Sequence, residues 1–446
     1  MTLPANYVEM KDSGIPWIGE IPTDWTLKRI KYLCNREPDS FVDGDWIESP
    51  HITDSGIRYL TTGNIGDGFF KRQGNGYITD KTFKELNCKY AYPGDLIISR
   101  LNAPYGRACI LPADEEKYVL AVDNVILRTD ENKSFLCYLM QCEGYQDCVQ
   151  DGAKGTTMRR ISRTNLGNVM LPIPPRSVQS AIVAYLDDQC AKIGEIIAEA
   201  TASIEEYKAW KASIIYEAVT KGLNPNAEMK DSTVPWLGFI PDNWNVCALK
   251  HLTTKIGSGK TPPGGAEVYT TEGVMFLRSQ NIYNTGLVID AVSYISMEID
   301  AEMENTRVQY QDVLLNITGG SIGRCCLFDL DGVPANVNQH VCILRTDKAK
   351  LLPQYLRYFW NSASGPTVVA QYQTGGNRPG LNFEQIGMTK IPYCSIEEQH
   401  RIVDFLDARC YEIDALVREK ETLITDLEEY KKSLIFETVT GKRKVV

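Results

Sequence analysis

Met10-Lys11-Asp12-Ser13-Gly14-Ile15-Pro16-Trp17-Ile18-Gly19-Glu20-Ile21-Pro22-Thr23-Asp24-Trp25 returns in the second half of the chain as Met229-Lys230-Asp231-Ser232-Thr233-Val234-Pro235-Trp236-Leu237-Gly238-Phe239-Ile240-Pro241-Asp242-Asn243-Trp244. A second matched pair closes each half. Gln179, Ile182, Val183, Leu186, Asp187, Cys190 and Ile193 recur as Gln399, Ile402, Val403, Leu406, Asp407, Cys410 and Ile413. Glu217, Val219 and Thr220 recur as Glu437, Val439 and Thr440. Between these landmarks the halves diverge while keeping their length. Self-similarity at one fixed distance marks a duplicated architecture. A duplicated frame with two different fillings predicts one protein presenting two different readers to one two-part target.

The closing segments read as helices. Ser177 to Thr220 contains no Pro and a single Gly. From Ile182, alternating steps of four and three give Leu186, Gln189, Ile193, Ile196, Ala200, Ser203, Tyr207, Trp210 and Ile214. Most are apolar or small, which is the pattern of a coiled-coil seam. The second copy gives Ile402, Leu406, Arg409, Ile413, Leu416, Lys420, Leu423, Leu427, Tyr430 and Leu434. Each helix, at about 1.5 Å per residue, would be about 65 Å long. A helix of that length with one apolar seam needs a partner, and the other copy is the obvious one. Antiparallel pairing is predicted, with the two globular domains at opposite ends and related by a pseudo-two-fold axis. Tyr207, Trp210 and Tyr430 are assigned to the seam. Prolines precede both helices (Pro172, Pro174, Pro175 and Pro392), and Gly222 with Pro225 stops the first.

The fillings, residues 26–175 and 245–394, read as strand-rich with short helices. Gly94-Asp95-Leu96-Ile97-Ile98-Ser99 and Gln311-Asp312-Val313-Leu314-Leu315-Asn316 are turn-then-strand patterns. Each filling then carries a Gly-rich polar loop, Gly152 to Arg160 and Gln373 to Gly380. Groove contact with DNA needs a flexible backbone, hydrogen-bond donors and cationic side chains. Lys154, Thr156, Thr157, Arg159 and Arg160 offer these in the first loop, and Thr374, Asn377 and Arg378 in the second. Arg pairs bidentately with guanine, Asn or Gln with adenine, and Thr with base or phosphate. Thr62 and Asn64 lie where Arg278, Gln280 and Asn281 lie in the other half. Arg100 and Arg107 are candidates for phosphate contacts, and Arg324, at the place matching Arg107, is a further DNA-binding candidate. Trp17, Trp25, Trp236 and Trp244 read as core or docking anchors rather than base-stacking platforms.

Composition narrows the class. The chain has 446 residues, 43% hydrophobic and 23% charged, long enough for a separate core in each half. No apolar run approaches the roughly 20 residues that span a bilayer. The start of the chain lacks the basic and apolar regions of a signal peptide, so a cytoplasmic location and no membrane are expected. Thirteen cysteines, none in a Cys-x2-Cys pair, and four scattered histidines predict buried reduced thiols and no metal. The net charge of -10 argues against a simple basic nucleic-acid binder, although local fields decide contact. Gly257-Ser258-Gly259-Lys260-Thr261 imitates the end of a phosphate-binding loop. Thr254 stands where the motif needs its first Gly, and Pro262-Pro263 cannot open the helix that would hold phosphate. No catalytic set emerges from spacing, so a non-catalytic binding protein is predicted.

The frame resembles the specificity subunits of type I restriction–modification enzymes. The resemblance rests on the Met-Lys-Asp-Ser-x-x-Pro-Trp-x-Gly-x-Ile-Pro-x-x-Trp segments, on Gln179-x-x-Ile182-Val183 and Gln399-x-x-Ile402-Val403, and on the endings Ser213 to Gly222 and Ser433 to Lys442. It covers the whole chain. It implies a mixed α/β (α+β) fold: target recognition domains over 1–175 and 222–394, a central spacer helix over 176–221 and a C-terminal one over 395–446. It also implies binding to double-stranded DNA at a bipartite asymmetric target. The implied partners are two methyltransferase (modification) subunits and two restriction subunits, the ATP-dependent translocase and endonuclease. S-adenosylmethionine, ATP and Mg would sit on those partners, with no cofactor in this chain. The alternative is a coiled-coil scaffold or adaptor without DNA specificity. An enzyme with an unseen site would show activity from this chain alone.

Overall fold

The computed structural model describes residues 9–74, 76–155, 159–290, 292–372 and 380–445. Two compact units form. The first takes the chain up to Ala200 and again from Thr422, and the second takes Thr201–Glu421. Each unit therefore combines one filling with the beginning of one long helix and the end of the other. The architecture is mixed α/β, as expected.

The first unit is built on an antiparallel sheet in the order Phe41–Asp43, Asn124–Leu127, Leu96–Ser99, Ala108–Ile110. The second unit repeats it with Thr253–Ser258, Val341–Thr346, Val313–Asn316 and Cys325–Leu327. Both faces of the central strands are covered. Leu96 and Ile98 point to the core shared with the helices Lys133–Leu139 and Arg176–Lys221, whereas Ile97 points to a second core with Leu60, Cys109 and Tyr118. Val313 and Leu315 part from Leu314 in the same way. Successive strand side chains alternate faces, so two buried faces require an unbroken apolar run rather than an alternating one. That is the pattern of Leu96-Ile97-Ile98 and Val313-Leu314-Leu315.

The long helices run Arg176–Lys221 and Ile396–Val439, 46 and 44 residues. The second starts at Ser395, whose hydroxyl accepts the Glu398 N–H at 3.2 Å. In each unit they meet antiparallel. Ile182, Leu186 and Ile193 share a core with Leu434, Ile435 and Val439 in the first unit. Ile215, Ala218 and Val219 share one with Ile402, Val403, Leu406 and Cys410 in the second. Lys211 Nζ adds an ion pair to Asp414 at 2.7 Å. A fully buried leucine such as Leu186 contributes about 1.5–3 kcal/mol.

The predicted seam is corrected in one of its two layers. Ile196 (45% exposed), Trp210 (50%), Leu416 (38%), Leu423 (37%) and Tyr430 (47%) face outward. The inward layer is Cys190, Ile197, Ile204 and Lys211 on the first helix, and Cys410, Val417, Ile424 and Lys431 on the second. The cause is helix periodicity. A 3.6-residue helix drifts about 20° per heptad from a strict seven-residue repeat. Trp210 stands four heptads beyond Ile182, and Tyr430 four beyond Ile402, so each has turned well off the buried face.

The repeated residues turn out to be attachments between helix and domain. Gln179 is fully buried. Its carbonyl accepts the Asn132 N–H at 2.8 Å, and its amide donates to Glu131 at 2.8 Å and to the Pro174 carbonyl at 2.9 Å. Gln399 repeats this with the Leu352 N–H at 2.9 Å and the carbonyls of Lys350 (2.9 Å) and Cys394 (3.0 Å). Two turns on, Asp187 accepts the Tyr138 hydroxyl at 2.6 Å, and Asp407 accepts that of Tyr358. The opening repeat serves the other helix end. Trp25 and Trp244 are fully buried, as anchors. Gly441 (φ +74°) lies against Pro22 and Trp25, and Gly222 (φ +74°) against Pro241 and Trp244. Each glycine takes the left-handed conformation that ends a helix.

Among the described residues no helix is long and apolar enough to cross a membrane.

Both helix-ending glycines share the positive φ, but a Cβ at Gly441 would overlap Pro22, whereas one at Gly222 would approach Trp244 Cζ2 only to 3.2 Å. Gly222→Ala should therefore cost about 1–2 kcal/mol from backbone conformation. Gly441→Ala should cost at least about 1 kcal/mol more from overpacking. Urea unfolding of both variants measures this; equal losses would show that the Pro22 contact gives way freely.

Candidate nucleic-acid interface

Three polar loops gather at the ends of the central strands in each unit. The first is a tight turn, Thr62–Asn64 or Ser279–Asn281. Asn64 is buried and shapes it, accepting the Thr61 N–H at 2.9 Å and donating to the carbonyls of Lys71 (3.1 Å) and Gln73 (2.8 Å). Asn281 does the same with the Arg278 N–H (2.9 Å) and the Val288 carbonyl (2.8 Å). Both asparagines are turn formers, which is why the same residue stands at both places.

The second loop leaves the strand Leu96–Ser99 and returns at Arg107. Ser99 N–H donates to the Arg107 carbonyl and Gly106 N–H to the Ser99 carbonyl, both at 2.9 Å. Asn316, Arg324 and Gly323 repeat that pair of bonds, again both at 2.9 Å. Arg107 is buried and its guanidinium donates inward, to the carbonyls of Ile65 (2.7 Å), Thr62 (2.9 Å), Asn102 (2.9 Å) and Pro104 (3.2 Å). Burial pushes its pKa down from the usual arginine value, opposed by the nearby Asp67 carboxylate. Arg107 thus staples the tight turn to the second loop. In the second unit Asn316 holds these parts together, donating to the Ser279 carbonyl at 2.8 Å and to Ser321 Oγ at 3.1 Å. Arg324 instead lies half-exposed over the Tyr283 ring, 4.7 Å from its centre.

The third loop is the Gly-rich one. Lys154 and Arg160 pair main chain to main chain at 3.0 Å in both directions, so the loop closes as a hairpin. Leu101 pairs with Arg160, which joins the hairpin to the second loop. In the second unit Thr318 pairs with Gly380, and Leu381 N–H donates to the Ile317 carbonyl at 2.9 Å, so the second Gly-rich loop returns at the same place. Arg100 is buried and braces the hairpin from below. Its guanidinium donates to the carbonyls of Ile161 (3.0 Å) and Val122 (2.6 Å) and pairs with Asp43 at 3.2 Å. Arg100 and Arg107, predicted as phosphate ligands, therefore hold loops in this structure, because their donors meet carbonyls or carboxylates inside the fold.

The remaining predicted residues divide clearly. Lys154, Arg159, Arg160 and Gln280 are exposed. Arg160 pairs with Asp123 at 3.3 Å and keeps further donors at the surface. Arg278 is half-buried, bonded to Ser293 Oγ at 2.9 Å and set over the Tyr269 ring. Thr62 is half-buried beside Arg107. Thr156, Thr157, Thr374, Asn377 and Arg378 lie outside the described residues.

The same rim holds Trp46, which the sequence did not single out, and Thr261, which the sequence raised only as the last residue of the phosphate-loop imitation. Trp46 is 68% exposed and leaves the strand Phe41–Asp43 through Gly44. Thr261 leaves the strand Thr253–Ser258 through Gly259. A Cβ at Gly44 would overlap the carbonyls of Leu120 and Ala121, and one at Gly259 the carbonyl of Val337. Close backbone approach therefore explains the glycine in the phosphate-loop imitation, and no α-helix follows it: Gly265–Val268 is a single tight turn. The matched glycines were the available signal for Trp46 and Thr261. The interface offers exposed hydrogen-bonding and cationic groups on a braced frame, and among the described residues no cluster of acids, His and Cys is placed to hold a metal.

Arg107→Ala should lower stability by roughly 2–4 kcal/mol, since it leaves several buried carbonyls unpaired. Arg160→Ala should stay within about 0.5 kcal/mol of the parent, its ion pair being exposed. Denaturant midpoints test both; a neutral Arg107→Ala would remove the staple assignment.

The family described as the type I restriction modification DNA specificity domain matches residues 22–206 and again 241–425. The type I restriction enzyme EcoBI specificity subunit of Escherichia coli is 22% identical over 374 residues, 79% of this chain and 74% of the relative. The MjaVIII specificity subunit of Methanocaldococcus jannaschii is 24% identical over 437 residues, 95% of this chain and 94% of the relative. Two solved chains share the fold. One comes from a study of complex assembly and conformational transition in the type I R-M system, with TM-score 0.73, 16% identity, and coverage of 94% of this chain and 98% of that one. The other is the HsdS subunit of Thermoanaerobacter tengcongensis, with TM-score 0.53, 15% identity, and coverage of 94% and 98%. Matched twice along most of its length, the chain belongs to the type I restriction–modification specificity subunits, the non-catalytic DNA-recognition proteins of those systems.

Proposed function

We propose that this chain reads a bipartite, asymmetric DNA target and directs modification and restriction subunits to it. The observation that carries the reading is the repeated rim. Both units set three loops on the same strand ends and present different groups there, exposed Lys154, Arg159 and Arg160 in the first against exposed Gln280 and half-exposed Arg324 in the second. One frame with two chemistries suits two different half-sites. Residues 1–175 and 222–394 serve as target recognition domains, and 176–221 and 395–446 as spacer helices. Two methyltransferase subunits carrying S-adenosylmethionine and two restriction subunits using ATP and Mg supply the chemistry in the cytoplasm. The net charge of -10 fits a chain whose partners share the DNA contact.

Base reading and phosphate binding separate by experiment. Arg159→Ala or Arg160→Ala should relax only one half-site, and Arg378→Ala only the other, each costing about 1–3 kcal/mol of discrimination. Sequencing of the sites modified by each mutant complex gives the answer. Equal loss on every sequence would mean phosphate contact, and no loss would mean solvated loops.

The duplication yields a further expectation. In the full chain Gly441, at the end of the second helix, packs on Pro22 and Trp25 of the first unit. In a fragment of residues 1–222, Gly222 of a second copy is available for that place. The fragment should dimerise and, with methyltransferase subunits, modify a palindrome of the first half-site. A soluble monomer, or modification of the original asymmetric target alone, would exclude this.

A further inference from the structure

We infer that Gln339 reads an adenine in the half-site taken by the second unit, with Thr261 and His340 positioning its amide; the inference rests on the DNA-reading function proposed above. Gln339 is exposed, yet it is held at both ends of its amide. Thr261 Oγ1 donates to Oε1 at 2.6 Å, and Nε2 faces His340 Nε2 at 3.0 Å. An amide nitrogen only donates, so His340 Nε2 is the acceptor and its proton sits on Nδ1. That nitrogen faces Thr318 Oγ1 at 2.6 Å. Thr318 in turn pairs with Gly380, where the Gly-rich loop returns. The chain of bonds from Thr261 to Thr318 thus joins the rim to the base of that loop.

An exposed glutamine ordinarily samples many rotamers, and fixing one costs up to about 2 kcal/mol. Here the cost is met within the folded protein, which leaves the amide pre-organised for a ligand. Thr261 takes one lone pair of Oε1 and His340 one hydrogen of Nε2. One acceptor and one donor remain on the same planar group. Adenine presents the complement in the major groove, a donor at N6 and an acceptor at N7. A phosphate presents acceptors alone and would leave Oε1 unmatched.

The first unit supports the assignment by contrast. Arg100 N–H donates to the Asp123 carbonyl at 2.8 Å, and Ile317 N–H to the His340 carbonyl at 3.0 Å, so Val122 holds in the first unit the position that Gln339 holds in the second, and Asp123 that of His340. Gly44 and Gly259 align Trp46 with Thr261. At one position of a shared frame, the first unit therefore carries Trp46, Val122 and an Asp123–Arg160 ion pair, and the second carries the held amide. Residues that differ where the frame is the same are placed to discriminate.

The test uses the full chain in complex with its methyltransferase subunits and a pool of DNA duplexes with randomised bases. Sequencing the retained duplexes defines the preference. Gln339→Ala should lose an adenine preference at one base pair of one half-site, weakening the preferred duplex about 5- to 150-fold, with the other half-site unchanged. Gln339→Glu should move that base pair towards cytosine, whose amino group suits an acceptor. Thr261→Val should weaken discrimination at that base pair, and Thr261→Ser should retain it. If the parent complex selects no sequence, the proposed function falls, and the inference with it. If the parent selects two half-sites and Gln339→Ala keeps both unchanged, or weakens on all duplexes alike, the inference alone is overturned.

Discussion

At the start of each long helix a buried glutamine amide meets three groups of the neighbouring domain at 2.8–3.0 Å, a backbone N–H and either two carbonyls or a carbonyl and a carboxylate. A buried amide without partners would cost several kcal/mol, so these bonds fix the rotation of the helix about its axis as well as its attachment. Asp187 with Tyr138, and Asp407 with Tyr358, add a second point two turns on. Two anchors on one face define which side of the helix looks inward. The apolar side chains then pack where that rotation puts them, and the loops stand on the sheet that the helix covers.

The same logic divides cationic residues into a buried frame and an exposed rim. Arg100 and Arg107 are buried among carbonyls and hold the loops in shape. Arg160 and Lys154 stand on the hairpin that those arginines support. A rigid frame under a variable rim lets exposed residues change without loss of the fold. Comparison of the two units displays this inside one molecule, since the strand order is common and the exposed groups are not.

Much was legible in the sequence. The duplicated opening and closing segments gave two units, two long helices and anchoring roles for Trp25 and Trp244, because these depend on local pattern and apolar content. The helix seam was half legible. Ile193 and Ala200 lie inward as predicted, but Ile204 is buried where Ser203 was expected and Trp210 is half-exposed. Both stripes are apolar, so composition did not choose between them. Their phase follows from Gln179 and the 3.6-residue period, and Gln179 finds its partners at Glu131 and Asn132, nearly fifty residues away.

By itself the sequence determined the duplication, the class of fold and the family frame, since repeats, turn residues and helix periodicity are written along the chain. Which polar side chains face outward was decided only by tertiary structure. Arg107 and Arg160 look alike as letters. Arg107 meets carbonyls more than forty residues away and is buried by them, whereas Arg160 rises on a hairpin. Gln339 carries no motif at all. Its amide is fixed by Thr261, contributed by a strand exit 78 residues earlier in the chain. Long side chains find their partners across space, and burial or exposure follows from those partners rather than from neighbours in sequence.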